Sequence, residues 1–153
     1  MKPTPQGWPR LSSCLYYEDA AKAIDWLCDA FGFEVRLRVE DDAGRIVHSE
    51  LTYGEGVIMV SQQQDDPAVK PEWKRAMKSP RALGNANTQM LMLYVDDVEA
   101  HCAHARAHGA TIHEEPGTHD YGDDYWTDRS YGAIDLGGHQ WWITQRLRSG
   151  AKA

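Results

Sequence analysis

The sequence predicts an α+β fold made of two tandem βαβββ modules, and three observations lead there. The chain has 153 residues, which suits one compact domain or two half-size modules sharing a core. An internal repeat is visible: Leu15, Tyr16 and Asp19 recur as Leu93, Tyr94 and Asp97 at an offset of 78, with Glu18 against Asp96. Each copy then runs through a helical pattern to a glycine, Gly32 and Gly109, and on into a β-type stretch. A repeat this long is a duplicated half-domain rather than a solenoid unit.

The elements follow in order. Residues 11–17 alternate as a strand and lead to Asp19, an N-cap for a helix over 20–31. Ile24, Leu27, Cys28 and Phe31 share one face of that helix, and Gly32 stops it. Strands at 33–40 and 45–53 are joined by a polar turn at 41–44, and a second turn at 53–56 leads into a strand at 57–62. The second copy gives a strand at 89–95, a helix at 98–108 capped by Asp97, strands at 110–114 and 128–134, a turn at 135–138 and a strand at 139–145. Residues 1–10 read as an N-terminal extension, 11–62 as module one, 63–87 as a connector with a short helix near 71–78, and 88–145 as module two. Residues 146–153 read as a tail, and both ends are expected to fray.

Composition narrows the function. Lys and Arg number 16 against 23 Asp and Glu, a formal charge of -7, which disfavours nucleic-acid and anionic-membrane partners. No apolar run approaches the roughly 20 residues of a membrane span, and no signal-peptide core follows Lys2. Cys14, Cys28 and Cys102 lack CxxC spacing, so a reducing cytoplasm is expected. Six tryptophans in so short a chain are the compositional oddity.

Arg129-Ser130-Tyr131, then Asp135, Gly138-His139 and Trp141, resemble the closing R-x-Y-x-x-x-D-P-x-G-H-x-W hairpin of glyoxalase-like proteins. That pattern is similar to the bleomycin-resistance-like or PhnB-like subgroup of the vicinal oxygen chelate superfamily, and Ser79-Pro80 with Leu83-Gly84 fits the same subgroup. Leu136 stands where the family usually has proline, and residues 123–126 look inserted ahead of Arg129. The resemblance covers 11–145 and implies one glyoxalase-like domain whose modules are curved, mixed-sheet half-barrels forming a cup for a small molecule. Catalytic members place four metal ligands there, from the first and last strand of each module. The matching positions here are Ser12, Met59, Met90 and Trp142, which are not a ligand set for Zn, Ni, Fe or Mn. Metal-dependent glyoxalase or dioxygenase chemistry is therefore disfavoured, and no metal or other cofactor is expected.

Strand alternation names what shares the inner face. It includes Ser12, Cys14 and Tyr16; Val57, Met59 and Ser61; Met90, Met92 and Tyr94; and Gln140, Trp142 and Thr144. If Gly54-Glu55 is a two-residue turn, Glu50 falls opposite Met59 and His48 opposite Ser61. Three readings of His48 and Glu50 stand: a hydrogen-bonded sheet edge, polar recognition of a ligand, or catalysis with Glu50 as base or metal ligand. The candidate ligand-binding set is Ser12, Cys14, His48, Glu50, Met59, Met90, Met92, Arg129, Tyr131 and Trp142.

Arg129 is expected to pair with an anionic group on the ligand or with Asp135. Tyr125, Trp126, Tyr131 and Trp142 are able to stack on a planar cation, which Asp120, Asp123, Asp124 and Asp128 would attract. Core filling is the other reading of Trp142 and the methionines, and core or interface packing the reading of Trp26. His101, His104 and His108 form a stripe expected to face solvent, beside a buried stripe of Val98, Cys102 and Ala105. His139 is expected to bond within the closing hairpin, and Cys14 has no evident histidine partner for nucleophilic work.

The expected function is metal-independent binding of a small organic molecule, for which a cationic aromatic compound suits the composition, by a cytoplasmic homodimer. The alternative is a divergent lyase, isomerase or dioxygenase using Glu50 and His48. A purely structural or interaction role would follow if Trp142 and the methionines fill the cup.

Overall fold

The computed structural model describes residues 1–152 and divides into two compact units, Met1–Gly84 and a second beginning at Asn85. The first unit runs β1 (Ser13–Tyr17), α1 (Ala20–Phe31), β2 (Glu34–Glu40), β3 (Ile46–Tyr53), β4 (Gly56–Gln62), α2 (Trp73–Ala76) and a 3-10 turn (Pro80–Leu83). The second runs β5 (Met90–Tyr94), α3 (Val98–Ala107), β6 (Thr111–Asp120), β7 (Trp126–Ile134) and β8 (Gln140–Ser149). Each unit holds one four-stranded mixed sheet, in the orders β1-β4-β3-β2 and β5-β8-β7-β6. In both, the first strand lies parallel to the last and the remaining pairs are antiparallel. The repeat read from the sequence is therefore a repeat of topology.

Local chemistry sets the element ends. Asp19 Oδ1 accepts from Lys22 N at 3.0 Å, and Asp97 Oδ1 accepts from Ala100 N at 3.0 Å, the same cap at the same place in each copy. Gly32 closes α1 at φ 78°, in the left-handed region that a side chain disfavours. The core of the first unit lies between α1 (Ala23, Ile24, Leu27, Phe31) and one sheet face (Leu15, Leu51, Ile58, Val60), all buried. In the second, Val98, Cys102 and Ala105 form the buried stripe of α3, and Tyr131, Ala133, Trp141 and Ile143 form the buried sheet face.

Four boundaries differ from the sequence reading. The connector helix is confined to Trp73–Ala76, and the connector belongs to the first unit through Gly84. The hairpin β6–β7 is longer than expected, reaching Asp120 and resuming at Trp126. Register shifts between Ile112 and Glu114 and between Glu114 and Gly117 break the alternation that would have revealed it. The tail is strand through Ser149, because Arg146 bonds Asp128 at 2.5 Å and Arg148 bonds Asp120 at 3.1 Å. The N-terminal extension is also held: Arg36 donates to the Gly7 carbonyl, and its guanidinium lies 4.6 Å from the Trp8 ring centroid.

Candidate functional site

In the first unit the sheet face turned away from α1 carries the polar side chains. The parallel register sets Cys14 beside Met59 and Tyr16 beside Ser61. Cys14 Sγ and Ser61 Oγ are 3.3 Å apart, and burial, followed by the Cys14 thiol, pushes the Tyr16 hydroxyl above its ordinary pKa. On β3 the expected turn register holds, with Leu51 opposite Ile58, Thr52 opposite Val57 and Tyr53 opposite Gly56. Beyond it, the buried Ser49 hydroxyl donates to Val60 O at 2.6 Å and accepts from Val60 N at 3.1 Å, replacing ladder bonds.

Alternation brings His48 and Glu50 to the helix-free face, where His48 Nε2 lies 3.1 Å from Glu50 Oε1. Arg36, at a register shift in β2, donates to Glu50 Oε2 from Nε at 2.8 Å and lies 2.7 Å away through Nη2. The bond from His48, then the Arg36 guanidinium, hold the Glu50 carboxyl below the usual carboxylate range. Glu50 is thus kept ionised, which suits fixing a polar group better than abstracting a proton near neutrality.

At the Tyr16 end of this face a cleft of about 680 Å³ opens. Tyr16 and Ser61 form part of its floor, Asp41, Arg45 and Ile46 one side, and Asp65, Asp66, Trp73 and Lys74 of the connector another. Trp73 is 58% exposed, and the Lys74 ammonium lies 5.9 Å from its ring centroid. Composition gave no hint of this wall, since the connector reads as a polar linker. The one signal was a lone tryptophan within it.

The second unit places its candidates differently. Met90, Met92 and Trp142 lie on the helix-free face, with Met92 beside Trp142 and Trp142 opposite Gly132. Met90 and Met92 are more than half exposed, so they are not core filler. Ser12, just before β1 in the first unit, has a buried hydroxyl with no hydrogen-bond partner.

Arg129 and Tyr131 do not join the expected inner face. The pairing of Gly132 with Trp142 turns their side chains to the α3 side. There Arg129 donates to Glu99 Oε1 at 2.6 Å and to Thr118 Oγ1 at 3.0 Å. Tyr131 is fully buried with its hydroxyl 2.7 Å from His101 Nδ1, so His101 is not simply a solvent-facing residue. Three of the four carboxylates of the acidic run are held internally: Asp120 pairs with Arg148, Asp124 with Lys152 and Asp128 with Arg146.

Residues 10–143 match the family Glyoxalase/Bleomycin resistance protein/Dioxygenase superfamily. The chain belongs to that superfamily. An uncharacterized protein of Mycobacterium bovis is 32% identical over 141 residues, covering 92% of this chain and 85% of its own length. TioX from Micromonospora sp. ML1 is similar in structure, with 28% identity, a TM-score of 0.65 and coverage of 91% of this chain and 99% of that one. A glyoxalase/bleomycin resistance protein/dioxygenase family enzyme from Burkholderia phytofirmans PsJN shares the fold at 17% identity and a TM-score of 0.59, covering 89% and 97%.

The four positions that the resemblance matches to the metal ligands of catalytic superfamily members do not suit a divalent metal. Ser12, Met59, Met90 and Trp142 offer a hydroxyl, two thioethers and an indole N–H that only donates. Among the described residues no group of three or more His, Cys, Asp or Glu is placed to hold a metal ion. No described helix is long and apolar enough to cross a membrane.

Proposed function

We propose that this superfamily member binds a small organic molecule bearing an amine and an aromatic group, without a metal, in the cleft beside Tyr16 and Trp73. The observation that carries the reading is the cleft itself. Its volume of about 680 Å³ lies inside the range of small-molecule sites, and one wall is an exposed indole. Lys74 already sets an ammonium near that ring, the contact a cationic ligand would make. Of the lining carboxylates, Asp41 is paired with Arg45 and Asp65 with Lys78, so Asp66 is the one that would meet a ligand amine. The binding protein is further proposed to be a cytoplasmic homodimer.

The test is a thermal-shift screen of chelator-treated protein against aromatic amines and common metabolites, followed by calorimetry on each hit. An aromatic amine should raise Tm, Trp73→Ala should weaken its binding at least about tenfold, a loss of about 1.4 kcal/mol, and added divalent metal should change nothing. No hit among aromatic amines, or binding that requires metal, overturns the proposal. Light scattering tests the dimer.

A second reading rests on the His48–Glu50 contact, which orients an imidazole as a base would be oriented in a lyase or isomerase. Turnover of a hit compound that Glu50→Gln abolishes would establish it in place of simple binding.

A further inference from the structure

We propose that His104 and His108 form a two-imidazole chelate for a late first-row divalent metal ion, Cu²⁺ above all, at the C-terminal end of α3. The site lies on the helix surface of the second unit and is independent of the cleft. Histidines four residues apart on a helix project from one face, and here the ring centroids are 4.2 Å apart. Both residues are exposed, so small rotations bring two ring nitrogens onto one ion without disturbing the core.

The tautomer of one ligand is already set. His108 Nδ1 is 2.9 Å from the His104 carbonyl oxygen, which only accepts. Nδ1 is therefore the donor in this bond, and Nε2 is the ring nitrogen that would meet a metal ion. A ring N–H given to a backbone carbonyl is the usual support of a metal-bound histidine.

The electrostatics agree. His108 is the C-cap of α3, where the helix dipole and the terminal carbonyls favour positive charge. The nearby Arg106 guanidinium is drawn to Glu115, 2.6 and 2.8 Å from its two carboxylate oxygens. His101 lies one turn earlier but is directed to the Tyr131 hydroxyl, leaving two protein ligands and water to complete the shell. Imidazole pairs of this kind rank Cu²⁺ above the other divalent ions of the row.

The experiment is calorimetric titration of the full-length, untagged protein with copper(II) chloride, with electron paramagnetic resonance of the loaded protein. One equivalent should bind, with a spectrum of two nitrogen ligands. His104→Ala and His108→Ala should each weaken binding at least about tenfold, the least expected from removing a direct ligand when outer-shell partners alone are worth about 10–100-fold. His101→Gln, which keeps a bonding group for Tyr131, should bind as the parent does. Both alanine positions are exposed, His104 within α3 and His108 at its C-cap, so unchanged far-UV circular dichroism will confirm folding. Parent-like affinity in either alanine variant, loss in His101→Gln, or no copper binding by the parent overturns the proposal.

Discussion

Trp141 donates its indole N–H to Asp135 Oδ2 at 3.0 Å across the turn that joins β7 to β8. The other carboxylate oxygen accepts from the backbone N–H of Gly137 and of His139, each at 2.9 Å. Asp135 and Trp141 are both buried, so one side chain fixes the turn and the indole packed beneath it. Asp135→Ala is expected to destabilise the chain by about 3 kcal/mol, since it strands buried donors that had a charged acceptor. Urea unfolding followed by fluorescence measures it, and a loss under about 1 kcal/mol would show that water replaces the carboxylate.

Ser49 plays a comparable part in the first unit. Its buried hydroxyl serves both the N–H and the carbonyl of Val60, where the β3–β4 ladder is interrupted. Ser49→Ala should cost about 1–3 kcal/mol, because both backbone groups stay buried and lose a partner. An unchanged denaturation midpoint would mean that the strands close up and restore the ladder.

Asp135 belongs to what the sequence makes legible and Ser49 does not, since its bonds to Val60 are read only from the fold. Caps, turns and the repeat depend on short-range chemistry, so Asp19, Asp97 and the turn at 135–138 can be read directly from the chain. The register at Gly54-Glu55 follows from turn length in the same way. The facing of Arg129 and Tyr131 was also within reach: the closing turn pairs Ile134 with Gln140 and Gly132 with Trp142, so odd-numbered neighbours on β7 must face α3. The R-x-Y spacing of the family motif carries no information on facing, which alternation alone supplies. The cleft was not legible, because its Trp73 wall depends on how a polar connector folds back. Nor was Arg36 in the Glu50 cluster, because it sits at a register shift that no periodicity announces.

Glu50 gives a pH-dependent expectation. Its carboxyl is held below the ordinary range by His48 and then Arg36, so the native state favours the ionised form more than the unfolded chain does. That stability is fully present above about 4.3, the value of a free glutamate, and is lost as pH falls through the lower native value. Asp41, Asp65 and Asp120 are held low as well and shape the common acid limb, so the informative quantity is the difference between parent and Glu50→Gln. That difference should shrink as pH is lowered from about 5.5 to about 3. A gap that stays constant would mean the Arg36 and His48 contacts do not favour the ionised carboxylate.

The C-terminal strand extension makes the last prediction. Arg146 bonds Asp128 at 2.5 Å and the Tyr94 hydroxyl at 2.8 Å. Its guanidinium carbon also lies 5.5 Å from the Tyr94 ring centroid and 5.1 Å from that of Trp126. A lysine cannot reproduce a planar group that stacks and bonds at once, so Arg146→Lys should lower Tm despite conserving charge. A chain ending at Gln145 also loses Arg148 and Lys152, the partners of Asp120 and Asp124. Uncompensated carboxylates then gather at 120–128 and repel one another, so the β6–β7 turn should become the first site cut in limited proteolysis. If the truncated chain resists protease there as the parent does, the strand beyond Gln145 does not hold that hairpin.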